Sequence, residues 1–293
     1  MSPEYSFTAT HGADNNSKAL IDGNVENLGY EYGAGDAIAK DLEEIASSVG
    51  KTSIRDYLIE PHVWPDDFAS FDSPGITNAN DHCVEPEPSD WTQCLKDALA
   101  DSAVTKLFLP KNRYVIKDTL TIPAHKHLFG VSKNLTFIQA VEATNWPSAN
   151  TEAPVVESVN DRNASSAISS LSIERHRDNP GFTALSWKAG RHSIVKDISV
   201  RPEPTDSSDP NNDKPHKTYT IKENGGGRWY GISAEWNDMS RSTLNPDYRH
   251  LLIENTTEPV WLYAVNYERS RAHDNGTPQP QGEITNAKNV FII

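Results

Sequence analysis

Between Leu107 and Gly130 the chain reads LFLPKNRYVIKDTLTIPAHKHLFG. Three apolar runs, Leu107–Leu109, Tyr114–Ile116 and Leu120–Ile122, sit between Pro and Gly marks. Each has the length of a strand and none is long enough for a helix. Pro110 and Pro123 fall just past strand ends, where a missing N–H does no harm. Strand follows strand with tight connections and no helix between, so the chain must either fold back in hairpins or wind.

The pattern continues at uneven intervals in LTFIQA (135–140), AISSLSIE (167–174), HSIVKDISV (192–200), YRHLLIEN (248–255), PVWLYAVN (259–266) and AKNVFII (287–293). Several units share one form, an apolar residue, two polar ones, then apolar–polar–apolar. Ile168–Ile173 and Val195–Val200 both have it and lie 27 residues apart. A β-sandwich also alternates, but it predicts hairpin turns such as Asn-Gly between neighbouring strands. Those are nearly absent, and the connections vary from a few residues to the long 201–220 segment. Variable loops between constant strands suit a parallel solenoid.

Ahead of the strands, SDWTQCLKDALADS places Trp91, Cys94, Leu95, Ala98 and Leu99 on one face of a helix spanning 89–102, with Ser89 or Asp90 as N-cap. A second amphipathic helix is expected over about 36–49, from Ile38, Leu42, Ile45 and Val49, with Gly50 as its stop. Residues 1–33 are polar and read as loop or an irregular arm, and the Pro-rich 51–89 as an extended connector. The resulting division is an irregular arm over 1–88 and a β-helix over 89–293. The apolar strand Asn289–Ile293 stands where a solenoid normally closes with a polar cap. The sequence therefore predicts a chain cut at that end, prone to aggregate there, and a true start that is also missing.

Mean hydropathy is −0.62 and hydrophobic content 36%, low for a compact globule but compatible with an elongated solenoid. Net charge is −14, from 41 acidic and 27 basic residues, which disfavours nucleic acid and anionic membranes as partners. No run of ~18 apolar residues exists to span a membrane, and no signal peptide is visible in residues 1–30. The two cysteines, Cys83 and Cys94, allow one bridge at most and cannot make a zinc site.

The order of capping helix, then KLFLPKNRYVIKDTLTIPAHKHLFG, then spaced strands resembles the pectate-lyase-like right-handed β-helix proteins, in the branch grouped with rhamnogalacturonase and epimerase-like lyases. Leu109, Pro110, Tyr114, Ile116, Thr119, Leu120, Ile122, Pro123, Leu128 and Gly130 carry the likeness, over about forty residues. ANDHCVEPEPSDWTQ stands where the family often has a Gly-Asp-Gly lead-in, and Asn112 where it has Gly. The resemblance implies a mainly-β, single-stranded right-handed parallel β-helix with an N-terminal capping helix. It also implies an extracellular or cell-surface protein that acts on or binds polysaccharide, as a glycosidase, a lyase, or a non-catalytic surface or tail-spike module.

Hydrolysis needs two carboxyls ~5–10 Å apart. Elimination from a uronic acid sugar needs a base and a positive group or Ca²⁺; otherwise no cofactor is expected. The stretch 225–274 is richest in such groups. Glu235, Asp238 and Glu268 are the acid–base candidates, and Arg228, Trp229, Tyr230, Trp236 and Asn266 the substrate-binding candidates. Strict alternation would place Trp261, Tyr263 and Val265 on one face and Asn266 and Glu268 on the other. Gly225–Gly227 let the backbone turn sharply or approach a ligand, but lack the spacing and Lys of a phosphate loop. Arg191, His192 and Asp197, and Asp178 in RHRD, are further charged groups near strand ends. No metal-ligand spacing is present. Each of these groups also has a purely structural reading as a turn or a solvated ion pair.

Overall fold

The structure is a computed structural model. It describes residues 18–21, 24–27, 69, 73–83, 90–141, 153–175, 182–202, 217–234, 249–267 and 282–292. The expected helix over 36–49 lies outside the described residues.

The elements follow the chain turn by turn. An antiparallel pair, β1 (Lys18–Ile21) and β2 (Asn24–Asn27), comes first. Then come β3 (Ile76–Asn78), the short α1 (Ala79–His82) and α2 (Thr92–Ala100). Winding proper runs through β4 (Lys106–Leu109), β5 (Asn112–Ile116) and β6 (Leu120–Ile122), then β7 (His127–Gly130), β8 (Thr136–Ala140) and β9 (Ala153–Ser158). The next turns are β10 (Ala167–Arg175) with β11 (Phe182–Trp187), and β12 (Ile194–Pro202) with β13 (Lys217–Lys222). After them come β14 (Gly227–Tyr230), β15 (Ser233–Ala234) and β16 (Arg249–Glu254), then β17 (Val260–Tyr263), β18 (Asn266–Tyr267) and β19 (Gly282–Thr285), and finally β20 (Val290–Ile292).

Two sheets result. Sheet A stacks β6, β9, β11, β13, β16 and β19, and sheet B stacks β3, β4, β7, β10, β12, β14, β17 and β20, with β5, β8, β15 and β18 on a second arm of it. Among the described residues every pairing is parallel except β1 with β2. This is a parallel β-helix, and crossovers between parallel strands wind right-handed. The 27-residue offset between the two repeated units is one turn, since Ile168 pairs with Val195 and Ile173 with Val200.

Four successive turns bend sheet B at a single left-handed residue: Ser170 (φ 56°), Asp197 (φ 51°), Gly231 (φ 58°) and Ala264 (φ 52°). The pairs flanking these four are in register, so the bends stack. The bend inserts one residue into the alternation and shifts its phase. Ile168, Val195, Trp229 and Leu262 point inward before it; Leu171, Ile198, Ile232 and Val265 do so after it. Strict alternation through Ala264 therefore fails. Trp261 and Tyr263 face outward, and Val265 packs on the core.

The core is built of ladders. Leu107, Leu128, Ile168, Val195, Trp229 and Leu262 pair in succession, and all are fully buried. At about 4.8 Å per strand each side chain packs on the one above and below, and each burial stabilises by roughly 1.5–3 kcal/mol. Trp229 also meets Trp187 and Tyr219 edge to face, at centroid distances of 6.1 and 6.2 Å.

The helix α2 closes the first turn with Leu95, Ala98 and Leu99 inward. Its N-cap is Trp91, which makes no capping side-chain bond, rather than the expected Ser89 or Asp90. Asp90, one residue earlier, accepts through Oδ1 from the Thr92 N–H (3.0 Å) and the Thr92 hydroxyl (2.6 Å). Trp91 N–H donates to the Val115 carbonyl at 2.8 Å, tying helix to strand β5. Inside the stretch read as a connector, β3 pairs with β4, and Cys83 at the end of α1 is bridged to Cys94 of α2, with Cα atoms 5.7 Å apart. Lys18–Ile21 and Asn24–Asn27, read as loop, instead pair as antiparallel strands, and β1 adds to sheet A beside β19.

Candidate functional site

The turn of the β-helix has three corners of different character. The bend within sheet B turns on one left-handed residue in the four turns from β10 onward. The connection from sheet A back to sheet B is short: 123–126, 159–166, 188–193, 223–226, 255–259 and 286–289. The connection from the second arm of sheet B to sheet A is short at 117–119 and 176–181 but long in four turns, at 141–152, 203–216, 235–248 and 268–281. All the long connections thus join the same two edges.

At the short corner the glycine run finds its reason. A Cβ on Gly225 would lie 2.3 Å from the Trp187 carbonyl oxygen, and one on Gly226 would lie 2.8 Å from both the Glu258 Cβ and the Pro259 carbonyl oxygen. Gly227 has φ +87° and lies against Ser193. Close approach is indeed what these residues provide, but to the protein's own backbone. Over this bare turn Arg162 and Arg191 reach Glu258: Arg162 Nη2 stands 2.5 Å from Oε1, and Arg191 Nε 3.2 Å from Oε2. Glu258 is 1% exposed, whereas both arginines are about half exposed. The polar surface of the same corner is knitted by amides, Asn286 Nδ2 donating to Asn255 Oδ1 (2.8 Å) and Asn224 Nδ2 to Asn160 Oδ1 (2.9 Å). Arg191 is therefore part of a structural strap. His192 is exposed beside it, and Asp197 sits at a bend with Lys133 Nζ 3.4 Å away. These three do not form a site, and Asp178 lies outside the described residues.

Trp229, expected as a sugar-stacking platform, cannot serve as one. It lies in the inward ladder and is fully buried. The phase of the strand decides this: β14 puts Trp229 inside and its neighbours Arg228 and Tyr230 outside. Those two do face outward, joined in register by Trp261 and Tyr263 of β17, and by Phe291 of β20. Tyr230 and Tyr263 stack at 4.8 Å and 14°, Trp261 and Phe291 at 6.0 Å and 13°, and the Arg228 guanidinium lies 5.8 Å from the Trp261 ring. Burial pushes both tyrosine phenols up from their ordinary range, and the Arg228 charge offsets this in part.

Beyond the bend the outward row is Ser172, Ser199, Ser233 and Asn266, in register. Ser172 donates to the Lys133 carbonyl at 2.5 Å. The Ser199 and Ser233 hydroxyls are buried and find no partner among the described residues. Asn266 is exposed at the end of this row, where the sequence places a binding residue. The next row holds Glu174, buried and paired with Arg113, and then Arg201, whose Nη2 donates to Asn134 Oδ1 at 2.6 Å. The second arm then ends in two paired positions, Ala234 beside Tyr267. Glu235 and Glu268 are the next residues of those two chains. They, Trp236 and Asp238 lie outside the described residues. The serine row is what sequence reading missed; its only signal is the polar residue in each apolar–polar–apolar unit, which also fits plain surface.

No family model matches the chain, and no curated protein matches it. Among solved structures it is similar to the A-module of the Azotobacter vinelandii mannuronan C-5 epimerase AlgE4, at 12% identity and a TM-score of 0.40, over 64% of this chain and 58% of that one. It is also similar to ORF18 of Geobacillus virus E2, at 12% identity and a TM-score of 0.40, over 93% of this chain and 56% of that one. Both matches span less than two thirds of the neighbour's length. The parallel β-helix described above stands on its own strand pairing.

Proposed function

We propose that this chain is a carbohydrate-related β-helix that engages a polysaccharide along the corner of long connections and the adjoining outer face of sheet B. The observation that carries this reading is the placement of the long connections. Repeat proteins concentrate their insertions on the binding side. Here the four long insertions join one pair of strand edges, and two of them carry Glu235, Trp236, Asp238 and Glu268. A chain-like ligand suits rows of groups repeated at about 4.8 Å. The likeness of 107–130 to the pectate-lyase-like branch supports the same substrate class. The Cys83–Cys94 bridge supports an oxidising, extracellular or surface setting.

On this reading the acid–base groups of a glycoside hydrolase or polysaccharide lyase come from among Glu235, Asp238 and Glu268. Hydrolysis needs no cofactor; elimination would draw on Ca²⁺ held by carboxylates. One observation favours the rival reading, a non-catalytic glycan-binding module. Among the described residues, Glu174, Glu258 and Glu283 are each taken up by an arginine, and Glu157 and Asp90 by a lysine. The test replaces Glu235→Gln, Asp238→Asn and Glu268→Gln singly, and assays plant and algal polysaccharides. Loss of turnover with retained binding in one variant supports an enzyme. Binding by every variant, with no turnover in the parent, assigns the binding module. Neither binding nor turnover on any polysaccharide overturns the proposal.

A further inference from the structure

Arg228 and Trp261 are register partners on β14 and β17. The Arg228 Nε and the Trp261 Nε1 are both buried, and among the described residues neither meets an acceptor. Arg113, Arg162, Arg191 and Arg249 each have a carboxylate partner: Glu174, Glu258, Glu258 and Glu283. Arg228 has none among the described residues, in a chain with 41 acidic residues against 27 basic ones. Acidic side chains are plentiful, yet this half-buried cation is matched with the Trp261 ring instead. A buried donor left unmet is costly, so two side by side point to an acceptor supplied from outside.

The surroundings hold both donors in place. Trp261 is stacked on Phe291, and the next outward row is the stacked pair Tyr230 and Tyr263. We propose that the N–H groups of Arg228 and Trp261 bind an oxyanion of the ligand, a carboxylate or a sulfate. The guanidinium supplies the charge, and the indole N–H a second, fixed hydrogen bond; charge-assisted bonds of this kind are the strong ones. This deepens the polysaccharide reading and rests on the outer face of sheet B being a ligand surface. It gives that ligand negative charge, despite the net charge of the protein.

The test follows the indole N–H resonance of Trp261 in ¹⁵N-labelled protein, identified by its loss in Trp261→Phe. Sodium sulfate, sodium glucuronate, sodium chloride and glucose are titrated at matched ionic strength. Sulfate or glucuronate is expected to shift the resonance saturably, and chloride and glucose are not. The anion that saturates first tells sulfate from carboxylate. Arg228→Gln should weaken the response at least tenfold. By calorimetry Trp261→Phe, which keeps a ring on Phe291, should weaken binding several-fold. No saturable shift with either anion, or an equal shift in Arg228→Gln, overturns the inference. Binding of a neutral polysaccharide without an anion response would overturn it and leave the function proposal standing. An anion response without binding of any polysaccharide would do the reverse.

Discussion

The two inter-sheet corners of this β-helix are opposites. The corner from sheet A to sheet B is short, glycine-bearing and closed by Glu258 with its two arginines. The corner from sheet B to sheet A is long in four of its six turns and holds the carboxyls marked in the sequence. One corner has spent its chemistry on holding turns together. The other is where chain length, and hence side-chain variety, is free to change without disturbing the ladders. A cluster of charged residues in the sequence thus has two meanings, decided by the corner it falls on.

That contrast is sharpest in stability. Replacing both Arg162 and Arg191 by Ala leaves the buried Glu258 carboxylate without a partner, which should cost about 3–5 kcal/mol in denaturant unfolding. Glu258→Gln should cost less, because its two half-exposed arginines can turn to water. A double variant as stable as the parent would break the comparison.

Next in size is the bridge between Cys83 and Cys94, which closes 11 residues. Its removal by Cys83→Ser with Cys94→Ser should cost about 3 kcal/mol, read as a lower melting temperature. The loss should be confined to the end capped by α2, as amide exchange would show.

A third effect depends on pH. His250 is fully buried, and burial pushes its pKa down to about 3 from 6.5. Between those values the unfolded chain takes up a proton that the folded chain refuses. Stability is therefore complete above 6.5 and falls as pH drops, by about 2 kcal/mol at pH 5. His250→Leu should flatten this slope.

The smallest effect belongs to the long corner. Glu235→Gln, Asp238→Asn and Glu268→Gln should each change stability by no more than about 0.5 kcal/mol, the range of ordinary surface positions. A large loss would mean that this corner is also structural.

Much of the architecture could be read in the sequence, because it repeats. The 27-residue offset is one turn, and Leu95, Ala98 and Leu99 do face the first turn. The short loops around Pro110 and Pro123 join strands of one winding. The site was less legible for two physical reasons. A left-handed residue such as Ala264 reverses the inside–outside alternation, and alanine gives no notice of it. The phase of β14, which hides Trp229, is set by pairing with Val195 one turn away. Nor does any local pattern announce a strap between Arg162 and Glu258, which lie 96 residues apart. Arg228 and Tyr230 stand out in the sequence because charge beside aromatics is visible at short range, and both do face outward.

That strap also bears on how the molecule comes apart. Repeat arrays usually behave as chains of nearest-neighbour couplings, so they can fray from an end or lose a unit with modest penalty. Arg162 precedes β10, Arg191 precedes β12 and Glu258 precedes β17, so one ion cluster links turns that do not touch in sequence order. Such a link adds a longer-range term. The turns between β10 and β17 should then melt as one cooperative block, and excising a single turn from among them should leave a carboxylate and two guanidiniums out of step.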